Sequence, residues 1–316
     1  MHEQFHTHGW REALLKRCEG GPPIPTAVVH PCDPAAIQAA VEAAALGLIA
    51  PILVGPEPKI RAAAARAGVD ISGLRLENTP HSHAAAARGV ALVRAGEARL
   101  LMKGSLHTDE LLHEVVSKET GLRTARRVSH VYIMDVPRYP RPLLITDAAI
   151  NIAPDLLDKR DIVQNAIDLA HVLDIAEPRV AILSAVETVN PKLQSTLEAA
   201  ALCKMADRGQ IHGGLVEGPL AFDNAVSPEA AAEKGIASPV AGRADILVVP
   251  DLEAGNMLAK QLTFLAGADA AGVVVGARVP IVLTSRADAE ATRIASCAVA
   301  VLMARAAQSA LPGAAL

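Results

Sequence analysis

Serine and arginine stand side by side at Ser285 and Arg286, directly after the apolar run Pro280–Leu283 and the hydroxyl of Thr284. A guanidinium at the end of a strand pairs a phosphate or an oxyanion with two parallel hydrogen bonds, and neighbouring hydroxyls donate to developing charge. The same letters describe a plain helix start, with Ser285 or Asp288 as the cap and Arg286 as a surface charge. Residue types alone leave both readings open. A second segment, Lys103 to Thr108 (KGSLHT), puts a glycine between a cation and a hydroxyl. Backbone amides at such a turn can approach an anion while Lys103 supplies charge. It matches neither GxxxxGK[ST] nor GxGxxG. Ser105 and Thr108 would equally serve a strand-to-helix turn, and His107 adds a titratable group beside Lys103.

Other segments read as structural when taken singly. Asp251 to Lys260 opens a helix with Asn256 and Lys260 on one face. Glu187 to Lys192 has Pro191 near a helix start, and Gly213 to Asp223 is a strand and loop punctuated by Gly and Pro. His81, His83 and the N-terminal His2, His6 and His8 have no partner set for a metal and are read as solvated. Cys18, Cys32, Cys203 and Cys297 lie far apart without ligand spacing. Cys203 and Cys297 fall in Ala-rich stretches as small core residues.

Strand-like runs must carry these groups. Thr26–His30, Pro51–Val54 and Arg99–Met102 alternate with helices over Pro34–Leu46 (capped by Asp33), Pro58–Ala67 and Ser82–Ala95. Further strands are expected at Leu143–Thr146, Val180–Ser184, Leu215–Glu217, Ile246–Val249, Gly272–Val275 and Pro280–Thr284. Helices are expected at Arg160–Leu173, Pro191–Arg208, Glu229–Lys234, Glu253–Leu265 and Arg293–Ala307. This rhythm implies an α/β fold with mostly parallel sheets flanked by helices, where ligands bind beyond the carboxyl ends of strands. The residues following the strands are polar: His30, Lys103–Ser105, Asp147, Glu187, Glu217, Asp251 and Thr284–Arg286. With 316 residues the chain has the length of two α/β units. The Pro-rich stretch Val136–Pro142 is expected to cross between them, giving one domain of residues 1–142 plus 293–316 and another of 143–292.

Hydrophobic residues make up 51% of the chain but aromatics only 2%, so the core is built from small and branched aliphatics. A net charge of -4 offers no basic footprint for nucleic acid and no polybasic membrane patch. The apolar run Ala43–Val54 is broken by Gly and Pro and is too short to span a bilayer. The N-terminus has no apolar export core, and a cytoplasmic location is expected.

Taken in series, MKGSLHT, GLRT (Gly121–Thr124), ITDAAIN (Ile145–Asn151), GPLAFD (Gly218–Asp223), PDLEAGNMLAKQLTFLAGA (Pro250–Ala268) and PIVLTSRAD (Pro280–Asp288) resemble the phosphate acetyltransferase and butyryltransferase family. The segment TAVVHPCDPAAIQAA is most similar to forms fused to an enoyl-CoA hydratase, although no hydratase domain is present among these residues. The resemblance implies a two-domain fold with an inter-domain cleft, shared with isocitrate and isopropylmalate dehydrogenases, and a homodimer. It implies reversible transfer of a short acyl group between coenzyme A and inorganic phosphate, with no metal or other cofactor. It marks Ser285 and Arg286 as the reacting pair. The acetyl branch carries an acidic residue seven positions after the serine, where Thr292 stands, so Asp288 and Glu290 are the nearby candidates for a base. TSRAD is closer to the butyryl branch. In this reading Lys103, Ser105, His107, Thr108, Arg123, Asn256 and Thr284 contact or orient the substrates. The enzyme alternative is an NAD-dependent dehydrogenase of the same fold, with Asp147, Glu217 and Asp251 as metal carboxylates. The other alternative is a non-catalytic protein that binds CoA or acyl phosphate.

Overall fold

The computed structural model describes residues 9–283 and 288–309. From the N-terminal side the elements are α1 (Trp10–Cys18), β1 (Ile24–Val29), α2 (Pro34–Ala45), β2 (Ile49–Gly55) and α3 (Glu57–Ala67). Next come β3 (Arg75–Asn78), α4 (Ser82–Arg94), β4 (Leu100–Lys103) and α5 (Thr108–Val116). The middle of the chain forms β5 (Ser129–Asp135), β6 (Leu143–Thr146), α6 (Leu156–Val172), β7 (Arg179–Leu183), α7 (Gln194–Asp207) and β8 (Leu215–Leu220). It continues through α8 (Phe222–Val226), α9 (Pro228–Glu233), β9 (Ile246–Val248) and α10 (Leu252–Ala266). The chain then closes with β10 (Asp269–Val275), β11 (Ile281–Val282) and α11 (Glu290–Ser309).

Two compact units emerge: one of Arg11–Arg126 with the described residues from Ala271 onward, and one built on Arg127–Ala270. In the first, the strand order is β3-β2-β1-β4-β11-β10. Val28 of β1 pairs in parallel with Leu53 and with Met102, and only β10 runs antiparallel to its neighbour β11. Such runs need cover on both faces, and Val28, Val29, Leu53, Val54, Leu100 and Leu101 are fully buried. Asp33 caps α2 as the sequence predicts, accepting a hydrogen bond of 2.8 Å from the Ala36 amide. A Cβ on Gly89 of α4 would stand 2.7 Å from Val29 Cγ2, so glycine lets this helix lie directly on β1.

In the second unit the order is β5-β6-β9-β7-β8, parallel except for the β5–β6 pair. Its core gathers Met134, Leu143, Ile145, Ala181, Leu183, Leu220, Leu247 and Val249. The segment Val136–Pro142, expected to cross between domains, instead connects β5 to β6 inside this unit. Antiparallel neighbours need only a short link, and the prolines fit that turn. The unit boundaries consequently fall at residues 126/127 and 270/271, not at 142/143 and 292/293. The helix expected over Arg293–Ala307 is α11, which packs on α2 and β4 of the first unit.

Candidate active site

At the carboxyl ends of β1 and β4 the backbones come into contact. Gly104 N donates to Val29 O at 2.8 Å and Ser105 N to His30 O at 2.9 Å, extending the strand pairing past Lys103. A Cβ on Gly104 would lie 2.5 Å from His30 O and 2.6 Å from Val29 O, so this turn has room only for glycine. Lys103 is buried, and its Nζ donates to Gly104 O and Leu106 O, both at 3.2 Å. The ammonium is thereby held inside the turn. Ser105 Oγ donates to His30 O at 2.8 Å and accepts from Cys32 N at 3.2 Å; His30 Nδ1 lies 3.1 Å from the same oxygen. His107 is exposed, its amide donating to Glu110 Oε1 at 3.4 Å, and Thr108 is the first residue of α5. Lys103, Ser105, His107 and Thr108 thus share one strand-to-helix turn. Burial lowers the His30 pKa, with the Lys59 charge acting in the same direction, so the ring is neutral at pH 7.

Elsewhere in that unit, Arg123 is exposed on a segment that bridges antiparallel to Ala277. Thr124 Oγ1 donates to Gly276 O at 2.7 Å, and Arg278 N donates to Leu122 O at 2.9 Å. The GLRT motif is therefore docked on the loop after β10. Thr284, Ser285 and Arg286 lie outside the described residues. Asp288 precedes α11, and its carbonyl accepts from Arg293 Nη2 at 2.5 Å; Arg293 also donates to Ala35 O at 3.1 Å.

The second unit holds the ITDAAIN motif and Asn256. Asp147 is buried, with Oδ1 accepting from Ala149 N at 2.9 Å and Ile150 N at 3.0 Å. Its Oδ2 accepts from Asn151 N at 3.2 Å and Asn151 Nδ2 at 2.5 Å. Burial raises the Asp147 pKa, while these four hydrogen bonds oppose the shift. Asn151 Nδ2 also donates to Val128 O, and its Oδ1 accepts from Arg127 Nε at 2.8 Å. The motif is a knot that closes its own loop. Helix α10 presses on it, since a Cβ on Gly255 would come within 2.7 Å of Asp147 O. Asn256 Nδ2 reaches Ala148 O at 3.3 Å.

Metal chemistry at Asp147, Glu217 and Asp251 is not what this geometry supports. Asp147 serves its loop, Glu217 Oε1 accepts from its neighbour Gly218 N, and Asp251 Oδ1 caps α10 through Ala254 N. Among the described residues, no group of three or more His, Cys, Asp or Glu side chains is placed to hold a metal ion. His81 caps α4 through Ala84 N, and His83 is exposed with its Nε2 3.6 Å from Glu110 Oε2. Burial pushes the thiols of Cys203 and Cys297 up to about 12 and that of Cys32 to about 11, leaving them protonated at neutral pH.

His30 appears in the sequence only as one polar residue after a strand. Nothing local announces that its backbone turns left-handed, at φ 55°, or that it meets a serine 75 positions away.

A family model described as phosphate acetyl/butaryl transferase matches residues 80–301. A phosphate acetyltransferase of Rhizobium meliloti is 66% identical over 293 residues, covering 93% of this chain and 93% of that protein. A phosphate butyryltransferase of Clostridium acetobutylicum is 43% identical over 272 residues, covering 86% of this chain and 90% of the relative. The crystal structure of a branched-chain phosphotransacylase from Enterococcus faecalis V583 matches with a TM-score of 0.77 at 32% identity, over 89% of this chain and 99% of that one. No helix among the described residues is long and apolar enough to cross a membrane. With its motifs in the family's order and the family model spanning most of its length, the chain belongs to the phosphate acetyl/butaryl transferase family.

Proposed function

We propose that this protein is a phosphate acyltransferase that reversibly moves a short acyl group, acetyl or butyryl, between coenzyme A and inorganic phosphate. The observation that carries this reading is the near full-length match to a phosphate acetyltransferase. The glycine turn that gathers Lys103, Ser105, His107 and Thr108 at the carboxyl end of a strand adds a physical reason, because ligands of such sheets bind beyond the strand ends. In this mechanism a phosphate oxygen attacks the thioester carbonyl directly, and the tetrahedral intermediate collapses by breaking its C–S bond. Acyl phosphate forms and the CoA thiolate leaves, taking up the proton that phosphate gives. Arg286 pairs the phosphate and the tetrahedral oxyanion, Ser285 donates to the same charge, and Asp288 handles the proton. Lys103, Ser105, His107, Thr108, Arg123, Asn256 and Thr284 bind or orient the two substrates. No cysteine is poised as a covalent nucleophile, which supports direct transfer.

The finer expectations belong to the same proposal: kinship with the isocitrate and isopropylmalate dehydrogenase fold, an N-terminal segment like that of hydratase-fused forms, a cytoplasmic location and a homodimer. The homodimer has support in α10, where Met257, Phe264 and Leu265 are 56%, 77% and 84% exposed along one face. Apolar side chains spaced i, i+7 and i+8 form a stripe, and such patches mark contact surfaces.

The deciding assay is release of free thiol from acetyl-, propionyl- and butyryl-CoA, with and without phosphate and with EDTA present. Phosphate-dependent release that survives chelation is expected. One methylene in an apolar pocket is worth about 1–3 kcal/mol, so kcat/KM across the three acyl groups should stay within about a thousandfold. Turnover that needs added Mg²⁺ or Mn²⁺, or no thiol release with any of the three, overturns the reading.

A further inference from the structure

The β1–β4 turn contains a feature that the transfer mechanism above does not use. His30 is a non-glycine residue in the left-handed region, at φ 55°. That conformation is unfavourable for a residue with a Cβ. Four hydrogen bonds hold it there: His30 N donates to Val54 O at 2.6 Å, while its carbonyl accepts from Cys32 N, Ser105 N and Ser105 Oγ. The left-handed turn breaks the path of β1 and sets the imidazole Nδ1 at 3.1 Å from Ser105 Oγ. With the Ser105 hydroxyl donating to the His30 carbonyl, a ring protonated on Nδ1 is the tautomer that completes this pair. Gly104 brings the two strand ends into close contact beside this pair.

We propose that His30 is a positioning residue for the strand-end turn Lys103–Ser105, acting through the hydrogen bond from its Nδ1 to Ser105 Oγ. The proposal rests on the reading of that turn as a substrate contact. The charged and titratable groups around the ring are Lys59 of α3, Glu110 of α5 and Asp33 at the start of α2. Burial and Lys59 favour the neutral ring, against Glu110 and Asp33. A neutral ring fits a fixed donor whose hydrogen bond does not change between pH 7 and 9.

Two substitutions separate the ring from the backbone. His30→Gly keeps the left-handed turn available and removes the donor. His30→Asn tolerates the same backbone and places an amide N–H near the position of Nδ1. Steady-state kinetics with phosphate and acetyl-CoA as varied substrates, beside thermal melts, should show a three- to tenfold KM increase for at least one substrate in His30→Gly, the range of one neutral hydrogen bond. Its kcat should stay within about threefold, and His30→Asn should recover most of the loss. The double variant with Ser105→Ala should be no worse than the poorer single variant, because both remove one interaction. Unchanged KM values in His30→Gly, beside an impaired Ser105→Ala, would show that His30 is idle. A kcat loss of a hundredfold or more in both His30 variants, with loss of the acid limb of the pH profile, would make it a proton carrier and overturn the positioning role. Wild-type kinetics in Ser105→Ala would instead remove the substrate role of the turn, and the proposal with it, while leaving the acyltransferase activity standing.

Discussion

At the scale of single residues, the proposed chemistry leans on Arg286, because a planar guanidinium can hold phosphate and oxyanion through two parallel bonds and a lysine cannot. Arg286→Ala should therefore lower kcat/KM at least about a hundredfold, near 2.7 kcal/mol. Arg286→Lys should recover little, and a thermal melt run beside the kinetics separates lost chemistry from lost fold. Near-normal turnover in the alanine variant removes Arg286 from the site. His130 carries a different kind of prediction. It is buried in β5, its Nδ1 has no hydrogen-bond partner among the described residues, and burial lowers its pKa from 6.5 to about 3. The unfolded chain protonates this ring near pH 6.5 while the folded one resists. Stability from this group is complete above that value and is lost as pH falls toward 3, by about 1.4 kcal/mol per pH unit. His130→Leu should flatten urea-derived stability between pH 6 and 4 by roughly one proton's worth of slope. An unchanged slope would mean that other groups dominate acid sensitivity.

At the scale of elements, the strand-to-helix turn after β4 shows how little freedom the backbone of the candidate site has. A methyl on Gly104 would meet two backbone carbonyls at 2.5 and 2.6 Å, and no side chain can move aside to make room. Gly104→Ala should cost about 1–3 kcal/mol, as overpacking does, and should move Lys103 and Ser105 together. A control is Gly47 after α2, where nothing lies within 4 Å but φ is +70°. Alanine there meets only the left-handed penalty, which is about 1–2 kcal/mol, far from the site. Denaturant melts with thiol-release kinetics should show both variants destabilised and only the Gly104 variant with altered KM. Equal kinetics in the two would argue that the turn does not contact substrate.

At the scale of the whole molecule, the proposed homodimer makes α10 the element to test. Phe264→Glu together with Leu265→Lys should convert a dimer to a monomer in sedimentation equilibrium without loss of helix content. A dimer that persists in the double variant places the interface elsewhere. Legibility in the sequence divides along the same physical line. Helices α2, α4 and α10 were readable to within a residue or so, because caps such as Asp33 and the turns that follow each helix act within a few positions. Strands β1, β2, β4 and β6 were readable because aliphatic runs with no polar face require burial on both sides. By contrast, β5 (SHVYIMD) was passed over, since its polar ends and the prolines after it resemble a linker. Its antiparallel pairing with β6 places it in the second unit, whose boundary falls at residue 127. Asp147 in ITDAAIN likewise looked available for ligands until the fold supplied four donors to its carboxylate. The sequence by itself determined the α/β alternation, the capped helices and the family, because caps, periodicity and motif order are local or linear properties. Tertiary structure alone decided the His30–Ser105 contact, the necessity of glycine at 104 and the strand partners, because each depends on backbones brought together from distant positions.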